Sequence, residues 1–201
     1  DNQRINVFDM LHNMRELDDS TYVHCMNVGL ICNLFATWLR MDEEDIKTAT
    51  LCGLLHDIGK LKMPEDILKK PSKLTEEEFE VIKTHPREGH NLLLDSPVND
   101  HVKNAALMHH ERCDGSGYPM QLTSEQIDPF AKMVAIADVY DAMTSARVYR
   151  GPLCPFMVIE AFEQEGFLKY DAEYILTFLR NIVNTYMLHR VRLSDGREGD
   201  I

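Results

Sequence analysis

The sequence predicts an all-α fold, one helical bundle over residues 1–188, followed by the start of a β segment at 189–201. Three observations predict it. Apolar side chains recur every three to four residues along most of the chain, the period of a helix with one buried face. Capping residues stand where those periodic stretches begin. Glycine and proline are scarce, 10 and 8 of 201 residues, while Met, Leu, Ile and Ala are plentiful.

The elements follow in order. Ile5, Phe8, Leu11 and Met14 form a first short stripe. Asp18, Asp19, Ser20 and Thr21 offer caps for a long helix carrying Val28, Ile31, Phe35, Trp38 and Leu39. Residues 43–55 are the next helix, running into His56. Thr75 with Glu78 makes a capping box that opens a helix ending near His85–Pro86. Another helix covers 98–110, and 111–119, with Gly115, Gly117 and Pro119, is a loop. Asp128–Pro129 places a cap and an N1 proline before a helix through Thr144. Residues 155–164 and 171–187 are the last helices. Residues 191–193 are the one convincing strand, which looks cut off, and the chain reads as a domain excised from a longer protein.

Composition narrows the function. Hydrophobic residues make up 44%, enough for a sizeable core. The net charge of -12 argues against a broad DNA- or RNA-binding face, which needs Lys and Arg to neutralise phosphates. It leaves room for a small anionic ligand held by a few local cations. No apolar run is long enough to span a bilayer, so no membrane contact is expected in this segment. The five cysteines, without a C-x-x-C pair, fit a reduced cytoplasmic chain.

Three motifs carry chemistry. In His56-Asp57-Ile58-Gly59-Lys60 an imidazole and a carboxylate share one helix end, and Lys60 lies one turn on. His109-His110-Glu111-Arg112-Cys113-Asp114-Gly115-Ser116-Gly117-Tyr118-Pro119 sets paired imidazoles before acids and a glycine-rich loop. Imidazole and carboxylate together suit transition-metal ions. Asp138 falls inside the apolar stretch 133–139, where an unpaired carboxylate is costly and a metal is a natural partner. Asp138 also opens a run through Asp141, Arg147 and Arg150.

Together, H-D-x-G-K, H-H-E-x-x-D-G-x-G-Y-P and D-V-Y-D-A-M-T-S-x-R-x-Y-R resemble the HD-GYP family of cyclic di-GMP phosphodiesterases in the HD superfamily. The resemblance runs from about Thr21 to Arg150 and includes Lys70–Pro71, the helix start at Leu74 and Thr75, and His85–Pro86. It implies an HD-domain helical bundle around an oligonuclear metal centre, most often of iron or manganese. The implied ligands are His24, His56, Asp57, His85, His109, His110 and Asp138. His24, His56, Asp57 and Asp138 would hold one ion, and Asp57 would bridge to a second held by His85, His109 and His110. Arg147 and Arg150 resemble the family's phosphate-binding pair, and Tyr118 lies where the family places a residue beside the substrate, its ring able to stack on guanine. Asp141 is expected either to touch substrate or a metal-bound water, or to brace a ligand.

The expected reaction follows. Two close cations acidify a bridging water, the hydroxide attacks phosphorus in line, and Lys60 adds charge beside the developing oxyanion. Asp57 and Lys60 are the catalytic residues in this reading. Cyclic di-GMP would yield linear pGpG, GMP being the further product left open, in bacterial second-messenger signalling. Two divalent ions are expected, because the position four before His24 is Ser20 and not the Glu with which some family members hold a third. Sensor or diguanylate cyclase domains are the expected companions in a full-length protein. A receptor without turnover, a di-iron oxygenase and a nucleotide phosphohydrolase of the wider superfamily are the rival readings. His12, His90, His101 and His189 match no motif and read as surface or core histidines, and Cys52 and Cys113 as non-catalytic thiols.

Overall fold

The computed structural model describes residues 6–145, 151, 153–187, 189–192 and 195–200. It begins with a helical hairpin. Helix α1 (Val7–Leu17) starts from an Asn6 capping box. Helix α2 (Asp19–Trp38) starts from Asp18, whose carboxylate accepts from the N–H groups of Ser20 and Thr21. Helix α3 (Glu43–Leu55) is capped in the same way by Asp42. Its end passes through His56 and Asp57 into a 3-10 turn, Ile58–Lys62.

Next come α4 (Glu65–Leu68), α5 (Glu76–Ile82), α6 (His85–Leu93) and α7 (Asp100–Met108). Helix α8 (Pro129–Thr144) opens with Asp128 as cap and Pro129 in its first turn. Helices α9 (Pro155–Lys169) and α10 (Ala172–Tyr186) close the bundle. Strand β1 (Arg190–Arg192) pairs antiparallel with β2 (Glu198–Asp200).

Several expectations need correcting. The helix opened by Thr75 stops at Ile82, and His85–Pro86 begins α6 instead of ending α5. A first-turn proline loses no helical hydrogen bond, so Pro86 starts a helix as readily as it stops one. Helix α9 runs on to Lys169, because Gly166 packs tightly against Ile175 and is retained inside the helix. The strand near Val191 is joined by a second strand that had not been expected, residues 198–200. Helix α4 and the 3-10 turn are too short to leave a period, and the expected Ile5 contact lies outside the described residues.

Helices α2, α3, α7 and α8 meet in the core. Helix α8 is buried nearly all round through Phe130, Ala131, Met133, Val134 and Ile136. At the α2–α3 crossing Gly29 faces Gly53, and a Cβ on Gly53 would sit 2.7 Å from the Gly29 Cα. Helices α9 and α10 cover the far side through a cluster in which Phe178 lies 5.1 Å from Phe35 and 5.2 Å from Tyr140. All five thiols are free. Cys52 is buried in the core, as a small apolar side chain would be. No helix among the described residues is long and apolar enough to cross a membrane.

The glycine contact yields a first prediction. Gly53→Ala drives a methyl into the backbone of Val28 and Gly29 and should cost about 2–3 kcal/mol. Gly199→Ala, with nothing near its Cβ position, should stay within about 0.5 kcal/mol of wild type. Urea unfolding of both variants measures the difference, and equal stability would show that the α2–α3 contact can relax.

Candidate metal centre

The centre is assembled around Asp57. This residue sits between α3 and the 3-10 turn at φ -97°, ψ 9°. The turn is pressed against the start of α6. A Cβ on Gly59 would lie 1.9 Å from the His85 carbonyl oxygen and 2.5 Å from the Gly89 nitrogen. Only glycine permits that approach. The motif glycine therefore brings His85 to Asp57, with His85 Nε2 3.1 Å from Asp57 Oδ1.

Each histidine of the floor is oriented by its own backbone. His56 Nδ1 lies 2.7 Å from the Gly53 carbonyl oxygen, and His85 Nδ1 2.7 Å from that of Ile82. His109 Nδ1 lies 3.1 Å from the carbonyls of both Ala105 and Ala106. A carbonyl only accepts, so Nδ1 carries the proton in each ring, and in the neutral ring the lone pair then lies on Nε2. Those nitrogens converge: His85 Nε2 and His109 Nε2 are 3.2 Å apart. His56 Nε2 and Asp57 Oδ1 are buried with no hydrogen-bond partner. Orphaned buried polar atoms are costly unless a cation joins them, and this donor set of imidazole and carboxylate suits a transition ion.

The two oxygens of Asp57 face different neighbours. Oδ1 looks to His85 and His109, at 3.1 and 3.7 Å. Oδ2 looks to His56 at 3.4 Å and His24 at 3.8 Å, and accepts from Lys60 Nζ at 2.6 Å. The possible donors fall into two groups, Asp57 with His85, His109 and His110, and His24 with His56 and Asp138, each with its atoms within 4.8 Å of one another. Cys25 also comes within that distance of His56 and Asp57. All seven side chains expected as ligands are thus brought together.

His24 is held differently. Its Nε2 lies 3.0 Å from Asp138 Oδ1, and its Nδ1 2.7 Å from Asp141 Oδ2. Asn27 donates to the other oxygen of Asp141 at 3.0 Å, as does Ser145 at 3.1 Å. Both carboxylate oxygens of Asp141 are engaged within the protein, an arrangement that favours the bracing role among the two expected for it.

Burial and charge compete throughout the centre. Burial opposes a proton on His24, but its hydrogen bonds to Asp138 and Asp141 outweigh this and raise its pKa to about 9. Burial lowers His110 to about 3 and pushes His109 well below the usual histidine range. Burial also opposes charge on Asp57, yet Lys60 and His56 hold its carboxyl well below the usual range. His56, Asp57, His85 and His109 are sealed from solvent, whereas His24, Asp138, His110 and Lys60 keep a partly open edge.

The signature loop closes over that edge. Tyr118 N–H donates to the His110 carbonyl at 3.2 Å, and the Tyr118 ring stacks on His110 with centroids 4.7 Å apart. One face of the ring is therefore already covered. Glu111, to which the motif assigns no role, is buried and accepts from the N–H groups of Met120 and Leu122 at 2.6 and 2.9 Å. A Cβ on Gly117 would lie 2.5 Å from the Glu111 Cα, so the loop folds flat only with glycine there. Asn27 was also missed, although it lies three residues after His24 and so on nearly the same helix face. Arg147 and Arg150 lie outside the described residues.

The fold and site define a helical protein with a buried histidine–aspartate centre of metal-binding type. The HD domain family profile matches residues 9–173, and the chain belongs to that family. It is 43% identical over 196 residues to the cyclic di-GMP phosphodiesterase PA4108 of Pseudomonas aeruginosa, covering 96% of this chain and 47% of that protein. It is 38% identical over 169 residues to the 3'3'-cGAMP-specific phosphodiesterase 1 of Vibrio cholerae, covering 84% of this chain and 39% of that one. The chain thus spans about half, or less, of the length of these relatives. Its fold is similar to that of Bd1817, an HDG"Y"P protein from Bdellovibrio bacteriovorus, with a TM-score of 0.65 at 23% identity over 80% of this chain and 51% of that one.

The bracing of His24 is testable. Asp141→Asn keeps the shape and removes the charge behind the imidazole. Metal affinity should fall about 10- to 100-fold. Competition with a chelator, read by elemental analysis, measures it, and wild-type affinity would show that Asp141 does not brace His24.

Proposed function

We propose that this chain is a metal-dependent phosphodiesterase that hydrolyses cyclic di-GMP to linear pGpG. The observation that carries the reading is Asp57, with one oxygen toward each group of donors. The names of the two relatives support the substrate class. In this reading His24, His56, Asp57 and Asp138 hold one ion, and Asp57, His85, His109 and His110 the other. Iron or manganese suits these nitrogen and oxygen donors. Two ions are proposed because the N-terminus of α2 offers no third set. Ser20 is exposed, Asp18 caps the helix, and Asp19 is exposed and pairs with Arg15 at 3.5 Å.

When bound, the ions supply an acidified water and charge neutralisation at the phosphate. The protein's part is orientation and charge. Asp57 is kept ionised by Lys60, whose ammonium at the open edge also faces the reacting phosphate. Arg147 and Arg150 grip the substrate phosphates, a role that rests on their motif alone. Tyr118 forms the wall beside the nucleotide. The five free thiols support a reducing, cytoplasmic setting.

The test is metal analysis of anaerobically purified protein joined to product chromatography with cyclic di-GMP and 3'3'-cGAMP. Two ions per chain and pGpG from cyclic di-GMP are expected. Three occupied sites would overturn the metal number, faster turnover of the mixed nucleotide would change the substrate, and bound nucleotide without product would make the chain a receptor. Product that forms only with oxygen would make it an oxygenase.

Variants separate the roles. Asp57→Ala should abolish hydrolysis and lower metal content together. Lys60→Ala, Arg147→Ala and Arg150→Ala should keep metal and lose about one to two orders of magnitude in kcat/KM. Full metal and near-normal turnover in Asp57→Ala would move the centre elsewhere, and unchanged kcat/KM in the other three would remove their assignment.

A further inference from the structure

The net charge of -12 sets a problem for a ligand with two phosphates. A cyclic dinucleotide brings one negative charge on each. With one phosphate at the centre, the other gains from any cation at the rim, beside whatever Arg147 and Arg150 supply. Two cations touch the Tyr118–Pro119 turn from the side of α5 and α6. Lys83, the residue that ends α5, holds Nζ 5.7 Å from the centroid of the Tyr118 ring. Arg87, in the first turn of α6, donates from Nη2 to the Pro119 carbonyl oxygen at 3.3 Å.

Both cations remain available at the rim. The Lys83 side chain is 31% exposed and pairs with Glu80 at 2.6 Å, but Glu80 is itself 67% exposed. Such a pair is screened by water and readily exchanged for another anion. Arg87 is exposed, and its bond to Pro119 uses one of five N–H donors. Among the described residues, two other nearby cations are already engaged. Lys60 bonds to Asp57, and Arg112 donates to the carbonyl oxygens of His109 and Glu111. Lys83 precedes His85 by two residues, so the short break between α5 and α6 delivers an imidazole to the floor and an ammonium to the rim.

We propose that Lys83 and Arg87 form a second anion subsite beside Tyr118, which takes the non-scissile phosphate of a cyclic dinucleotide. The inference rests on the phosphodiesterase reading above. Its consequence is selection for ligands with two phosphates over ligands with one.

Steady-state kinetics of Lys83→Met, Arg87→Met and the double variant test it. Cyclic di-GMP is compared with bis(p-nitrophenyl) phosphate, a diester with one phosphate, at several ionic strengths and with metal content measured throughout. Each single variant should raise KM for cyclic di-GMP about three- to tenfold, more than for the one-phosphate diester, with kcat changing less than KM. Lys83→Arg should recover most of the loss, and the double variant should show a weaker dependence of KM on salt. Equal losses on both substrates would mark a structural brace of the Tyr118 turn and overturn the subsite. So would an unaltered KM for cyclic di-GMP in the double variant. If metal-loaded wild type cleaves the simple diester but neither cleaves nor binds cyclic di-GMP, the phosphodiesterase reading falls and this inference with it.

Discussion

The centre depends on one close contact between two backbones. The 3-10 turn after Asp57 lies against the first turn of α6 with no room for a side chain at Gly59. That contact determines where Asp57 stands relative to His85, and hence which way each carboxylate oxygen faces. The other helices converge on the same point. Helix α2 brings His24, α7 brings His109 and His110, and α8 brings Asp138. The Gly29–Gly53 crossing lets α2 and α3 approach closely enough for the His24 and His56 rings to stand 5.3 Å apart. Two glycine contacts thus convert a helical bundle into a site.

Much of this was legible from local chemistry. Helices α2 and α8 begin where an aspartate caps and, for α8, where a proline follows, because capping is settled within three residues. The break between α5 and α6 was not, since Pro86 permits either a stop or a start and the choice is made by the fit of α6 onto Gly59. Strand β2 was invisible for another reason. Glu198, Gly199 and Asp200 are poor strand formers, and only pairing with β1 makes them one. In the site, the motifs point to the ligating residue types, but not to their supports. Asn27 reaches Asp141 across 114 positions of sequence, a relation no spacing rule contains. The partners of Glu111 lie nine and eleven residues on, inside a loop without a period.

The seven proposed ligands divide by what orients them. His56, His85 and His109 each hand their Nδ1 proton to a carbonyl three or four residues earlier. Their orientation is a local property of a helix end or turn, and it survives as long as that turn does. His24 instead gives Nδ1 to a carboxylate on α8. A carboxylate makes the imidazole more basic than a carbonyl can, and so a stronger donor to a metal. The strong donor stands at the partly open edge, the carbonyl-bound rings on the sealed floor. If the proposed ions bind, one at the edge would exchange with solvent more readily than one on the floor, and a charged brace would compensate for that exposure. The division also explains why Asp141, which lies behind His24, is tied down by both Asn27 and Ser145. A carboxylate that orients a ligand from another helix has to be oriented itself, or the basicity it confers is lost to rotation.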